Sequence, residues 1–162
     1  MHYARTAAQY AVAIALIVLG VIGVIATHTQ YIPCEGVEQF APACADAMDV
    51  PEHFGVLQQF WVIALALTVV AIALARGRAA RWVAVGAAGL VLVMNSVTEY
   101  LIWLAVWGGH WDVPPGTGYS MAGAMILSGL LVTVSATLGL APRSVTRPLV
   151  TAVPDDIASL VA

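Results

Sequence analysis

The sequence predicts an all-α, polytopic membrane protein: a four-transmembrane-helix antiparallel bundle with both termini in the cytoplasm. Three observations carry this expectation. Of the 162 residues, 61% are apolar and 9% charged. A soluble domain carries about a quarter charged residues, so this chain lacks the charge to cover a water-facing surface. Four apolar stretches, near 7–27, 54–75, 82–107 and 119–140, each reach the roughly 20 residues a helix needs to cross a hydrocarbon core of about 30 Å. Finally, the six basic residues, all arginine, fall only on alternate connections between those stretches.

The stretches show no period-two alternation, so helices rather than a barrel are expected to satisfy the backbone in lipid. The first could be mistaken for a signal peptide. Its apolar run of about 20 residues exceeds the usual ~7–15 of a signal core, and no small-x-small cleavage site follows, so it is read as a retained helix. Arg5 precedes it, Arg76, Arg78 and Arg81 lie between the second and third stretches, and Arg143 and Arg147 follow the fourth. Segments 28–53 and 108–118 hold no Arg or Lys. Positive residues stay in the cytoplasm, so those two loops are expected to be extracytoplasmic. Trp61, Trp82, Trp103, Trp107, Trp111 and Tyr119 lie near span ends, where amphipathic rings favour the interface. The short arginine-bearing turn makes the second and third helices antiparallel neighbours.

Residues 1–141 are thus read as one transmembrane domain with a structured outer loop at 28–53. Residues 142–162 are read as a cytoplasmic tail, extended by Pro142, Pro148 and Pro154 and ending in a short helix after Asp155 and Asp156. The all-Arg basic set, with abundant Ala, Val and Gly, suits a GC-rich genome and hence a prokaryotic plasma membrane. No internal repeat supports an inverted-repeat transporter, and no basic cluster with interleaved aromatics supports nucleic-acid binding.

The outer loop contains the chain's two cysteines, Cys34 and Cys44. In an oxidising compartment such a pair is expected to form a disulfide, and closing a loop of this size stabilises by about 3 kcal/mol in the chain-entropy account. Catalytic pairs are usually closer, as in Cys-x-x-Cys, so the expected role is structural. In outline the chain resembles quinone-linked disulfide-forming membrane enzymes and claudin-like tetraspan proteins. It lacks the Cys-x-x-Cys pair of the first and, with Tyr31-Ile32-Pro33 before Cys34, the Trp-rich signature of the second, so the likeness stops at topology. Glu35, Glu38, Asp46, Asp49 and Glu52 make the loop acidic, a solvated face or an attractor of cations or a basic partner.

Polar residues at and inside the membrane supply the candidate chemistry. His28, His53 and His110 fall at comparable depth, with Glu52 and Asp112 nearby. Imidazole and carboxylate suit zinc, copper or iron, so His28, His53, His110 and Asp112 are candidate metal ligands. Their long-range spacing fits ordinary interfacial histidines as well, and a pH-responsive cluster is a third reading. Glu99 is the one acidic residue within a span, roughly 12 Å from its outer end at 1.5 Å per residue. Asn95 lies one turn below, and Ser96 and Thr98 flank the pair. On a continuous helix Asn95, Glu99 and Trp103 share a face. A carboxyl at this depth is expected to face other helices or a cavity rather than lipid, protonated or reached by water. Small residues mark expected helix contacts: Ser120, Ala124 and Ser128, and Gly129, Thr133 and Thr137, on the fourth span; Gly86 and Gly89 on the third; Gly20 and Gly23 on the first.

No nucleophile elbow, phosphate loop or metalloprotease motif is present. The expected function is therefore a non-catalytic accessory or scaffold subunit of a larger membrane complex, with a protein partner in the membrane or at the outer loop. Two alternatives stand beside it: a small membrane oxidoreductase or lipid- or quinone-site enzyme using Glu99 and the outer histidines, and a transporter or channel component with Glu99 as coupling group. No cofactor is implied by a motif; metal, haem or quinone would accompany the enzyme reading.

Overall fold

The computed structural model describes residues 2–37, 41–48, 51–106 and 117–140, the side chains of residues 2, 51–54, 103 and 104 excepted. The described elements are all helical: α1 (His2–Tyr31), a 3-10 turn (Ile32–Cys34), α2 (Pro42–Met48), α3 (Pro51–Leu74), α4 (Arg78–Val93), α5 (Ser96–Val106) and α6 (Tyr119–Leu140). Three of them, α1, α3 and α6, are long and apolar enough to cross a membrane, and α4 with the start of α5 makes a fourth if that bent pair is one span.

Prolines and glycines punctuate the chain. Pro33 stops α1 from continuing, while Pro42 and Pro51 open α2 and α3, where a missing N–H costs nothing. Gly77, at φ 86°, turns the chain between α3 and α4, and Gly118, at φ 121°, turns it into α6; both angles lie in the region that glycine alone enters freely. The expected 54–75 and 119–140 spans match α3 and α6 closely, and α1 extends beyond 7–27 at both ends.

The third expected span is different. Instead of one helix over 82–107, α4 and α5 meet at 68° across Met94 and Asn95. Asn95 causes the break. Its Oδ1 accepts the N–H of Val97 and of Thr98, each at 3.0 Å, and its carbonyl accepts the Glu99 N–H at 2.9 Å, so Asn95 is the N-cap of α5. The carbonyls at the end of α4 are also satisfied. Leu90 O accepts from Met94 N at 3.0 Å and Val93 O from Asn95 N at 3.1 Å. Leu92 O accepts from Asn95 Nδ2 at 3.2 Å, and Val91 O from the Trp61 indole N–H on α3 at 2.6 Å. Ser96 is held from the same helix, its hydroxyl donating to Gln58 Oε1 at 3.1 Å.

Helices α1, α3, α4 and α6 form a ring of contacts in which α6 packs most heavily, against α1 on one side and α4 on the other. Small residues set both interfaces. A Cβ on Gly129 would meet Ile17 Cγ1 at 2.6 Å and the Ala13 carbonyl at 2.8 Å; one on Gly20 would meet Ile126 Cγ1 at 2.6 Å and the Ala122 carbonyl at 2.7 Å. Toward α4 the contact surface is Ala80, Ala84 and Ala87, and hydroxyls add hydrogen bonds to backbone. Ser128 donates to Ala87 O at 3.0 Å and Ser135 to Ala80 O at 2.8 Å, with Gln9 Nε2 of α1 reaching Ser135 Oγ at 3.4 Å. Ser128 of one small-residue stripe of α6 therefore faces α4 and Gly129 of the other faces α1, while Thr137 at the end of the second stripe is exposed. Gly86 and Gly89 do not join them: a Cβ on either would meet nothing within 4 Å.

Gln9, Ser135 and Ala80 mark one end of the bundle, which also carries Arg5, Arg76, Arg78 and Arg81. At the other end Cys34 and Cys44 are joined by a disulfide, and Gln30 Nε2 of α1 donates to Ala47 O of α2 at 2.8 Å, fastening the short helix over the end of α1.

Trp61→Phe keeps the ring and removes only the N–H, leaving the Val91 carbonyl without its donor. It should lower unfolding stability in detergent by about 1–3 kcal/mol, read by thermal denaturation; an unchanged melting temperature would mean that the bond at the break carries no weight. The double change Cys34→Ser, Cys44→Ser should cost about 3 kcal/mol in the same assay.

Candidate functional site: a buried carboxyl at the disulfide end

The bend carries Glu99 to the first turn of α6. Glu99 is the fourth residue of α5, and at 1% exposure its side chain is buried. Its Oε1 accepts the backbone N–H of Ser120 at 2.8 Å. The first N–H groups of a helix have no partner within it, and an acidic group there also meets the positive end of the helix dipole. Glu99 thus closes the N-terminus of α6 from a neighbouring helix. It lies level with the start of α6, not a dozen ångströms below the end of a straight span. The partner of the carboxyl is a backbone amide, and the arginines among the described residues all lie at the opposite end.

Other polar side chains gather around the same turn. Tyr31, at the end of α1 and 6% exposed, shares a hydrogen bond with Thr117 and lies within electrostatic reach of Glu99. Thr27, one turn earlier on α1, is fully buried. Gly118 packs between Thr27 and Leu57, where a Cβ would sit 2.5 Å from Thr27 Oγ1 and 2.8 Å from Leu57 Cδ1. That crowding and the positive φ both require glycine. Two buried oxygens, Thr27 Oγ1 and Glu99 Oε2, have no hydrogen-bond partner among the described residues. Buried polar atoms are nearly always paired, so each of these oxygens leaves acceptor capacity for a proton donor such as a water molecule.

The candidate residues separate under this geometry. Glu99 alone joins the cluster with α1 and α6. Asn95 and Thr98 serve the break between α4 and α5, and Ser96 faces Gln58 of α3. Asn95 precedes the helix that carries Glu99 and caps it, so the continuous 82–107 helix on which the two were expected to share a face is interrupted there. His28 is exposed on α1, its Nδ1 3.6 Å from Glu35 Oε1 and 3.4 Å from the Tyr119 hydroxyl. His53 falls in the first turn of α3, with its side chain outside the described residues; His110 and Asp112 lie outside them altogether, as do Trp107 and Trp111. Among the described residues no three His, Cys, Asp or Glu side chains come close enough to hold a metal ion.

Tyr31, Thr27, Thr117 and Gly118 were not visible as a site from sequence. The available signal was local: a Thr-Gly pair directly before an apolar run, the pattern of a turn that opens a helix.

Replacement of Glu99 separates its roles. Glu99→Gln keeps an acceptor for the Ser120 N–H and should fold with a melting temperature near that of the parent. Glu99→Leu leaves that N–H buried and unpaired and should cost about 1–3 kcal/mol. Equal stability of the two variants would show that the cap is dispensable. Gly118→Ala should cost at least about 1–3 kcal/mol through backbone strain alone, measured by the same thermal scan.

Comparison of the chain with protein-family models, with curated proteins and with solved structures finds no match, so the reading of the site rests on its own geometry.

Proposed function

We propose that this chain is a multi-pass plasma-membrane protein, crossing four times with both termini inside, that serves as a non-catalytic accessory or scaffold subunit of a larger membrane assembly. The bent α4–α5 pair counts as the third span in this reading. The arginine end is cytoplasmic by the distribution of positive charge, and the disulfide end faces the oxidising side.

The observation that carries the reading is the use made of Glu99. The one acidic side chain inside the spans is spent on holding α5 to α6. Trp61, Gln58, Ser128, Ser135 and Gln9 likewise tie helix to helix. Polar groups in a membrane interior usually mark a pathway or a site; these mark joints. The outward side of α4 supports a partner. Gly86 and Gly89 lie there with open space above them, and a glycine inside a helix costs roughly 0.5–1 kcal/mol against alanine. Close approach of a helix from another protein would offset that cost.

One observation favours the competing class, a small membrane enzyme or ion-coupled component: the buried Oε2 of Glu99, which has no hydrogen-bond partner among the described residues. Purification in mild detergent distinguishes the two. A scaffold subunit co-purifies with a partner in fixed ratio; that association is lost in Gly86→Leu, Gly89→Leu and kept in Glu99→Gln. A chain that purifies alone with bound metal, haem or quinone would replace the subunit reading with the enzyme. For the orientation, membrane-impermeant thiol reagents applied from outside should label cysteines engineered into 108–118 and spare those in 76–81; the reverse pattern inverts the topology.

A further inference from the structure

We propose that a cleft at the arginine end of α4 binds the phosphate headgroup of an anionic phospholipid. The cleft, of about 510 Å³, is lined by Gly77, Arg78, Arg81, Trp82 and Val85. The last four are spaced i, i+3, i+4 and i+7, so they share one face of α4. Their order along that face is charge first, then an aromatic ring, then an aliphatic side chain running into the span. A phospholipid at a membrane surface has the same order: phosphate, glycerol and ester region, acyl chain.

Charge complementarity fixes the class of ligand. Arg78 and Arg81 are exposed, and neither forms an ion pair among the described residues. No acidic residue lies in the first turn of α4 to balance them. A guanidinium presents a planar fork of donors that matches phosphate oxygens, and two on adjacent turns can grip one headgroup from two sides. Trp82 is 64% exposed beside them, a large apolar surface at the level where indole rings meet lipid glycerol. Val85 continues that surface toward the hydrocarbon. A free phosphate ion would use the arginines and leave Trp82 and Val85 uncovered, so the apolar half of the cleft points to lipid. The assignment is independent of the accessory-subunit reading and needs only that this end of α4 meet a membrane surface.

The test uses the full chain in detergent micelles, titrated with phosphatidylglycerol, with phosphatidylcholine of the same acyl chains, and with soluble glycerol 3-phosphate. Binding is followed by native mass spectrometry and by thermal shift. Phosphatidylglycerol should bind in preference to phosphatidylcholine, and glycerol 3-phosphate should not compete at equal concentration. Each of Arg78→Gln and Arg81→Gln should weaken phosphatidylglycerol binding by about fivefold, and the pair by about 25-fold, the scale expected for arginines at an anionic lipid surface. Arg5→Gln removes the same charge from the same end and should leave binding unchanged. Both cleft arginines are exposed, so the variants should keep the parent's melting temperature without lipid. An equal loss in Arg5→Gln would reduce the effect to diffuse surface charge and overturn the site. No preference for the anionic lipid, or full competition by glycerol 3-phosphate, would overturn the lipid assignment. If the lipid-free protein is destabilised equally by the Arg78→Gln, Arg81→Gln pair and by Asp155→Asn with Asp156→Asn, the occupant is the chain's own acidic tail, and the proposal fails.

Discussion

A backbone amide or carbonyl buried away from water must find a hydrogen-bond partner, and in an apolar solvent the cost of failing is several kcal/mol per group. This constraint governs the break between α4 and α5. A helix interrupted in mid-course exposes carbonyls on one side and N–H groups on the other. Here the side chain of Asn95 serves both, donating to Leu92 O and accepting from Val97 and Thr98. Trp61 supplies the remaining donor, to Val91 O, from the facing helix. The last four carbonyls of α4 and three of the first four N–H groups of α5 are thus paired, and the dependence on α3 ties the direction of α5 to tertiary packing rather than to local sequence alone.

The joint determines where Glu99 goes. On a straight helix its carboxyl would enter the spans well below their end, with no cation available to it. Bending at Asn95 swings α5 across the bundle, and Glu99 meets the start of α6, where an amide needs an acceptor. One polar residue therefore creates the geometry in which another finds its partner. Helix α6 receives this contact at its first turn. Along the rest of its length small residues let α1 and α4 approach closely, so the helix with the most neighbours is also the one whose exposed end is closed by a side chain from elsewhere in the fold. Helix packing in lipid draws on close contact and hydrogen bonding rather than on expulsion of water, and α6 carries both.

Much of the architecture was legible in the sequence because length and hydropathy are local properties. The apolar runs at α1, α3 and α6 are long and nearly free of charge, and the cysteine pair in a loop specified its own disulfide. The break was not legible for a physical reason. A single Asn in an apolar run reads as a tolerated polar residue on a continuous face; whether it caps a new helix depends on Trp61 and Gln58, more than thirty residues away. The partner of Glu99 was hidden in the same way, since a backbone N–H carries no signature in the side-chain sequence. Glycines misled in one direction. Gly20, Gly23 and Gly129 mark close approaches, but Gly86 and Gly89 face open space while the alanines between and before them make the contact. A small residue shows that close approach is possible, not from which side it comes.

The two ends of the bundle handle charge in opposite ways, and this bears on what the protein can do. At the arginine end Arg78 and Arg81 are exposed and form no ion pair among the described residues. At the disulfide end the carboxyl is buried and tied inward, while a crosslink and a bond from Gln30 to Ala47 fasten the loop above. A site for chemistry on a diffusing substrate needs a reactive group that the substrate can reach. Glu99, at 1% exposure with one oxygen committed to Ser120, is oriented toward holding helices in register. Among the described residues, exposed groups that other molecules can reach include Arg78, Arg81 and the Trp82 indole at one end and the Gly86 face of α4. Recognition on the outer surface, with polar side chains tied into internal joints, is the arrangement that the accessory-subunit and lipid-binding proposals both require.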